Sequence, residues 1–298
     1  MKGLTIPTQG AAPRISSDLP VPSPSPTQIL VRNIYTAINP ADIFLANMGL
    51  LVESWPMVPG CEASGVVVKA GSDAVNPLGG HFKEGDQVLG CVRIGAAGYS
   101  AWQEYFLLDA EVAILKPGAL TMAQASTVCA GLLTAFLGVF GELGLLKSLG
   151  ADATIDYKSS DSDIVEEVKR VTGARVNLAF DAISVNNDLV SKIFTAIPSL
   201  GERIYTTTND WDPAPDASLG FITKPIELGP IGRPNSVELN KKMNAWIPVI
   251  YRLLDNGKLT VGEHSVEGEG IEEIEQAWEV QKSGKLGSTK VIVRVADE

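Results

Sequence analysis

The chain has 298 residues, 45% of them hydrophobic and 20% charged, with 24 basic against 35 acidic side chains and a formal net charge of −11. That length suffices for two ordinary domains with apolar cores. The acidic excess excludes nucleic acid or an anionic membrane surface as the main partner, because both attract basic patches.

The N-terminal residues MKGLTIPTQG carry no apolar core of a secretory signal. The longest apolar run, residues 128–140 (VCAGLLTAFLGVF), is short of the roughly 18 residues a membrane span needs. Three cysteines, Cys61, Cys91 and Cys129, stand too far apart in the chain to form a disulfide framework. The expectation is a soluble cytoplasmic protein with neither membrane nor nucleic-acid contact.

The first third reads as β-rich. Pro20, Pro22, Pro24 and Pro26 alternate through LPVPSPSPTQ and hold that stretch extended. Residues 28–38 (QILVRNIYTAI) alternate as a strand. The motif INPADIFLANM predicts a turn into a short helix, with Asn39 as cap and Pro40 at the first helical position. Residues 58–74 read as a strand pair punctuated by Gly60, Gly65 and Gly71, with β-branched density in GVVVK. Residues 83–92, 99–109 and 113–118 supply further short strands, and together these suggest a compact barrel.

The period then changes. Residues 121–152 are helical in pattern, with Gly150 a terminator. Strand-like ATIDY, NLAFDAI and ERIYTTT alternate with helical SDIVEEVKRVTG and NNDLVSKIFTAI, the signature of βαβ units and a parallel sheet. The tail gives helices in WIPVIYRLLDNG and GIEEIEQAWEVQKSG and a closing strand, KVIVRV.

Metal chemistry finds little support. Of the two histidines, His81 falls in a Gly-rich turn (GGHFKEGD) and His264 in a polar loop, and there is no C-x-x-C pair. A catalytic zinc wants three nearby protein ligands and a structural one usually four. Cys61 beside Glu62 reads as a small buried thiol in a strand, so no metal is expected.

The runs NPADIF, PGCEASGVVVKAG, EGDQVLG, YSAWQEYFLLD and LKPG, in that order, resemble the medium-chain dehydrogenase/reductase superfamily, as does the tail IEEIEQAWEVQKSGKLGSTKVIVRV. AGLLTAFLGVFGELGL with LKSLGADATIDY is most similar to one zinc-independent branch, the trans-acting enoyl reductases of fungal polyketide synthases. In zinc-dependent members a ligating histidine stands at the position of Cys61. The resemblance implies an α/β chain: a GroES-like β-barrel domain over 1–118 completed by 262–298, and a Rossmann-type parallel sheet over 119–261, with the active-site cleft between them. It also implies NADPH as cofactor and, as partner, a carrier protein of a polyketide synthase or of a synthase–peptide synthetase hybrid. Hydride would reach the β-carbon of an α,β-unsaturated thioester, the protein aligning the reactants and stabilising the enolate oxygen.

Site residues follow from the same resemblance. Ala41, Asp42, Ile43 and Phe44 match the segment that meets the nicotinamide side. Tyr157 matches a tyrosine near the adenine ribose, Leu228 and Gly229 a loop approaching the nicotinamide, and Ile292 and Val293 the closing strand. Thr134, Ala135, Phe136, Leu137, Gly138, Val139, Phe140 and Gly141 match the helix lining the acyl pocket, though a simple buried apolar helix is the favoured reading of the residues themselves. No proton donor is marked: Tyr99, Tyr105 and Cys129 are all available. Asp181 falls at a strand end, where ligand binding and helix capping are both open.

Two departures stand against this. A dinucleotide unit needs a strand, a Gly-rich turn and a helix facing the pyrophosphate, and no segment offers one. GELGL and LKSLGAD, which would flank that unit, are directly joined at Leu145 and Leu146. The Rossmann-type sheet is therefore expected to lack its first two strands. Gly268-x-Gly270 lacks the strand–turn–helix context, and Glu273 takes the third glycine's place. Second, many relatives carry a lysine where Phe44 stands. The expected activity is enoyl reduction in trans in secondary-metabolite biosynthesis. The alternative is a cofactor-free descendant that binds the acyl intermediate for a cyclisation, pericyclic or assembly role.

Overall fold

The computed structural model describes residues 1–135, 137, 155–156, 158–197, 201–209, 212–287 and 289–298, and of residue 43 the backbone alone. The chain divides into two compact units, Met1–Leu133 with Leu228–Glu298, and Thr134–Glu227.

The first unit begins with β1 (Gly3–Thr5) and β2 (Arg14–Ser16), an antiparallel pair. After the proline-rich stretch come β3 (Gln28–Ala37), helix α1 (Pro40–Met48), β4 (Glu62–Ala70), β5 (Gln87–Cys91), β6 (Tyr105–Asp109) and β7 (Ile114–Leu115). Short helices α2 (Met122–Ala125) and α3 (Cys129–Ala135) follow, α3 running across the boundary between the units. β3 is the hub of the sheet, pairing antiparallel with β4, β6 and β12 (Lys290–Arg294). Its burial is nearly continuous because neighbours cover both faces. β11 (His264–Glu269) lies parallel to β12 and completes the order β11-β12-β3-β4-β5-β7.

Several apolar clusters fill this unit, two of them large. One joins Ile29, Val31, Val67, Val88, Phe106 and Leu108 across the strands. The other packs Leu4, Ile6, Trp102 and Val291 against α7 (Ile274–Ser283) through Ala277 and Trp278. The Trp102 and Trp278 rings meet edge to face at 5.4 Å, a geometry the ring quadrupoles favour. Each side chain so buried contributes about 1.5–3 kcal/mol.

The second unit holds α4 (Asp161–Thr172), β8 (Leu178–Asp181), α5 (Asn187–Ala196), β9 (Ile204–Thr207) and β10 (Ile222–Pro225). The three strands are parallel in the order β10-β9-β8. Val190 and Phe194 of α5 pack on Tyr205 and Phe221. α4 is bounded as its sequence dictates: the Ser160 hydroxyl accepts the Asp163 N–H at its start, and Gly173 ends it in the left-handed region at φ 60°.

Several sequence expectations are corrected. Within residues 58–74 there is one strand, β4, rather than a pair. Gly65 lies inside it because a Cβ there would run into the Arg32 carbonyl of β3, a close approach and not a turn. Residues 99–104 stay outside β6. His264 lies in β11 rather than a polar loop, its strand specified by pairing with β12 and not by its own alternation. The tail helix α6 (Val237–Asp255) starts well before WIPVIYRLLDNG and carries Pro248 within it. β1, β2 and β10 are too short to show a period. Of ATIDY, Ile155 and Asp156 are in no regular element, and the rest, like the 145/146 junction, lies outside the described residues. Among the described residues β8 has a strand partner on one side alone.

Candidate functional site

A buried polar arrangement in the first unit gathers at the start of α1. The Asn39 N–H donates to Asp42 Oδ2 at 2.8 Å, so Asp42 at N3 closes the helix start as a capping residue should. The Asn39 side chain points elsewhere: its Nδ2 donates to Glu62 Oε1 at 3.0 Å, and its Oδ1 accepts from Lys290 Nζ. Lys290 also pairs with Glu62 Oε1 at 2.6 Å. The second Glu62 oxygen accepts the Ala130 N–H at 2.8 Å, in the first turn of α3. One fully buried carboxylate therefore ties together α1, α3 and the closing strand β12, within hydrogen-bond reach of a compensating cation.

Burial pushes the Asp42 carboxyl up to about 7, against the lowering effects of the Asn39 N–H and Lys290. Asp42 Oδ1 has no hydrogen-bond partner among the described residues. Burial, with Asp42 and Glu62 beside it, pushes the Cys61 thiol well up. A hydrogen bond with Cys129, then burial, does the same to Cys91. For Lys290, burial favours the neutral amine, but Glu62 and its neighbours hold the pKa above the ordinary lysine value. The three cysteines, remote in sequence, thus converge in space. All are free and buried, and Cys61 and Cys91, held protonated, are poor nucleophiles. Among the described residues no three His, Cys, Asp or Glu side chains are arranged to hold a metal.

In the second unit the carboxyl end of β8 is closed by Asp181. Its side chain accepts from the N–H groups of Ile183, Ser184 and Asn186 and from the Asn186 amide, at 2.9–3.0 Å. Burial opposes its charge, yet these donors hold its pKa below the ordinary value. The loop so fixed carries Ser184 at φ 71° and exposes Ile183 and Val185. Beside it a polar pocket of about 510 Å³ is lined by Asn187, Asp188, Ser191, Asn209, Asp212 and Asp216.

The expected site residues are distributed as follows. Ala41 to Phe44 lie on α1: Asp42 is buried in the cap, while Phe44 is 37% exposed. Leu228 and Gly229 are half-buried, and a Cβ on Gly229 would meet Leu51 Cδ1 at 2.5 Å. Ile292 and Val293 are fully buried in two different apolar clusters. Thr134, Ala135 and Leu137 are half-buried in the second unit. Phe136, Gly138, Val139, Phe140, Gly141 and Tyr157 lie outside the described residues. Sequence reasoning missed Glu62 as a hub and Lys290 altogether. The available signal was an acid at the head of an otherwise apolar strand, EASGVVV, which requires a buried partner.

Residues 25–118 match the alcohol dehydrogenase GroES-like domain family. "Dehydrogenase orsE" of Emericella nidulans is 34% identical over 36% of this chain, though the match spans only 30% of that protein. "Trans-enoyl reductase apdC" of the same fungus is 24% identical over 98% of this chain and 97% of its own length, along 336 aligned positions. The enoyl reductase component of lovastatin nonaketide synthase from Aspergillus terreus is 24% identical over 93% and 91%. Among solved structures, an alcohol dehydrogenase superfamily protein from Novosphingobium aromaticivorans superposes with a TM-score of 0.80 at 19% identity, covering 99% of this chain and 100% of that one. Escherichia coli quinone oxidoreductase, complexed with NADPH, gives 0.73 at 17% identity, with 99% and 100% covered. Over residues 25–118 the chain is similar to the alcohol dehydrogenase GroES-like domain, and with its β unit and its parallel-stranded unit it shares the fold of these solved structures.

Proposed function

We propose that this protein is an enoyl reductase of the trans-acting kind, taking an α,β-unsaturated polyketide thioester from a synthase carrier protein in secondary metabolism, with NADPH as reductant. The observation that carries it is the near full-length similarity to a protein named as a trans-enoyl reductase and to the enoyl reductase component of lovastatin nonaketide synthase. The Asn39–Glu62–Lys290 network supports it by fixing α1 and the start of α3, the two helices whose residues the family resemblance assigns to cofactor and acyl chain.

One observation favours a second reading. The described residues do not fit a whole dinucleotide: β8, β9 and β10 each end without a glycine-rich turn leading into a helix, so nothing described would cradle the pyrophosphate. The alignment to the Emericella reductase also runs to 336 positions against the 298 residues of this chain. In that reading the chain is cofactor-free and binds the acyl intermediate for a cyclisation, a pericyclic step or an assembly role. Titration of the purified chain with NADPH, followed by nicotinamide fluorescence, separates the two. Saturable binding at micromolar concentration supports reduction. A folded chain that ignores NADPH leaves the cofactor-free reading.

A further inference from the structure

The segment between β2 and β3 holds the chain's two Ser–Pro dipeptides, Ser23–Pro24 and Ser25–Pro26, and Thr–Pro does not occur anywhere in the sequence. Residues 18–25 belong to no helix or strand. Proline fixes its own φ near −65° and drives the preceding residue into the extended region. The run Pro20-Val-Pro22-Ser-Pro24-Ser-Pro26 is therefore held straight by covalent geometry alone. Side chains of an extended chain alternate in direction. Pro22 and Pro24 accordingly turn inward and are half-buried, while Ser23 and Ser25 are exposed.

The two serines differ in how their backbone is held. The Ser25 N–H donates to Gln28 Oε1 at 3.0 Å, and its carbonyl accepts the Gln28 N–H at 3.1 Å. Gly71 packs so closely on that carbonyl that a Cβ there would collide with it. Upstream, the segment is anchored by the exchange between Met1 and Leu19. Between these anchors the N–H groups of Val21 and Ser23 have no partner among the described residues. An exposed hydroxyl on a pre-extended, main-chain-free strand is what an enzyme needs when it adds a substrate peptide to its own sheet edge.

We infer that Ser23, and not Ser25, is a phosphorylation site for a proline-directed serine kinase using ATP. Ser23 Oγ forms the new bond to the γ-phosphorus as the bond from that phosphorus to the β,γ-bridging oxygen breaks. ADP departs, and the hydroxyl proton passes to the carboxylate base of the kinase. The product carries about −1.5 to −2 further charges. They stand beside Pro20 and Pro22, which with Leu19 form one wall of an apolar pocket of about 220 Å³ closed by Met57, Val58 and Gly98. The inference does not depend on the reductase reading.

The test is incubation of the folded 298-residue chain with a proline-directed kinase and ATP, with phosphopeptide mapping. Phosphate is expected on Ser23 in the native chain and in Ser25→Ala, and is expected to be lost in Ser23→Ala and at least tenfold slower to appear in Pro24→Ala. Phosphate on Ser25 alone, labelling that appears only after the chain is denatured, or undiminished labelling in Pro24→Ala would each overturn the inference. So would a native chain that takes no phosphate while a peptide of residues 18–28 is labelled.

Discussion

Asp42 shows how much a single buried carboxyl can couple to pH. Its ordinary value of 3.8 rises to about 7 in the folded chain because burial penalises the anion more than the Asn39 N–H and Lys290 favour it. The native state therefore binds a proton that the unfolded chain has released between about pH 4 and pH 7, so this group's contribution to stability is largest below pH 4 and declines as pH rises to 7. At about 1.36 kcal/mol per pH unit the full effect is at most about 4 kcal/mol. Asp42→Asn is expected to flatten that decline while keeping an oxygen to accept the Asn39 N–H. Urea midpoints of the two proteins from pH 4 to 8 measure it, and parallel profiles would contradict the assignment. The cap itself was legible, since N-P-A-D spells a helix start. The burial that shifts its titration was not, because it depends on β4 and β12 closing over the helix.

At the scale of elements, glycines separate chain geometry from side-chain adjustment. Gly60 sits at φ 97°, and a Cβ there would lie 2.8 Å from the Trp102 backbone nitrogen and closer still to its ring. Neither can move, because Trp102 is fully buried against Trp278 and the Trp102 N–H bonds the Pro59 carbonyl. Gly229 would meet only the far end of Leu51, which can swing aside. Gly60→Ala is expected to lose about 2–3 kcal/mol or more and Gly229→Ala under about 1 kcal/mol. Thermal unfolding of both variants checks the ordering. The longer strands β3 and β4 could be read from their residue pattern, whereas β11, six residues long, could not. β1, β2 and β10 could not, because three or four residues show no period and exist only through their partners.

For the whole molecule, one expectation concerns the junction at Leu145 and Leu146. Inserting a strand, Gly-rich turn and helix there is expected to tighten NADPH binding by tenfold or more, about 1.4 kcal/mol, because a helix N-terminus and free backbone N–H groups would then face the pyrophosphate. Fluorescence titration of the folded insertion variant beside the parent chain measures this. An insertion variant that is folded and binds no better would count against the dinucleotide site that the resemblance implies.

The sequence by itself determined the division into a β-rich part and a βαβ part and the cap and first turn of α1, because local period and turn chemistry are written in neighbouring residues. Only the tertiary structure decided that Glu62, Asn39 and Lys290 share one ion-paired network and that Cys61, Cys91 and Cys129 meet. Residues as far apart as 39 and 290 become neighbours only when β12 pairs with β3, and a sheet's long-range register is set by the burial of whole faces rather than by any short stretch of chain.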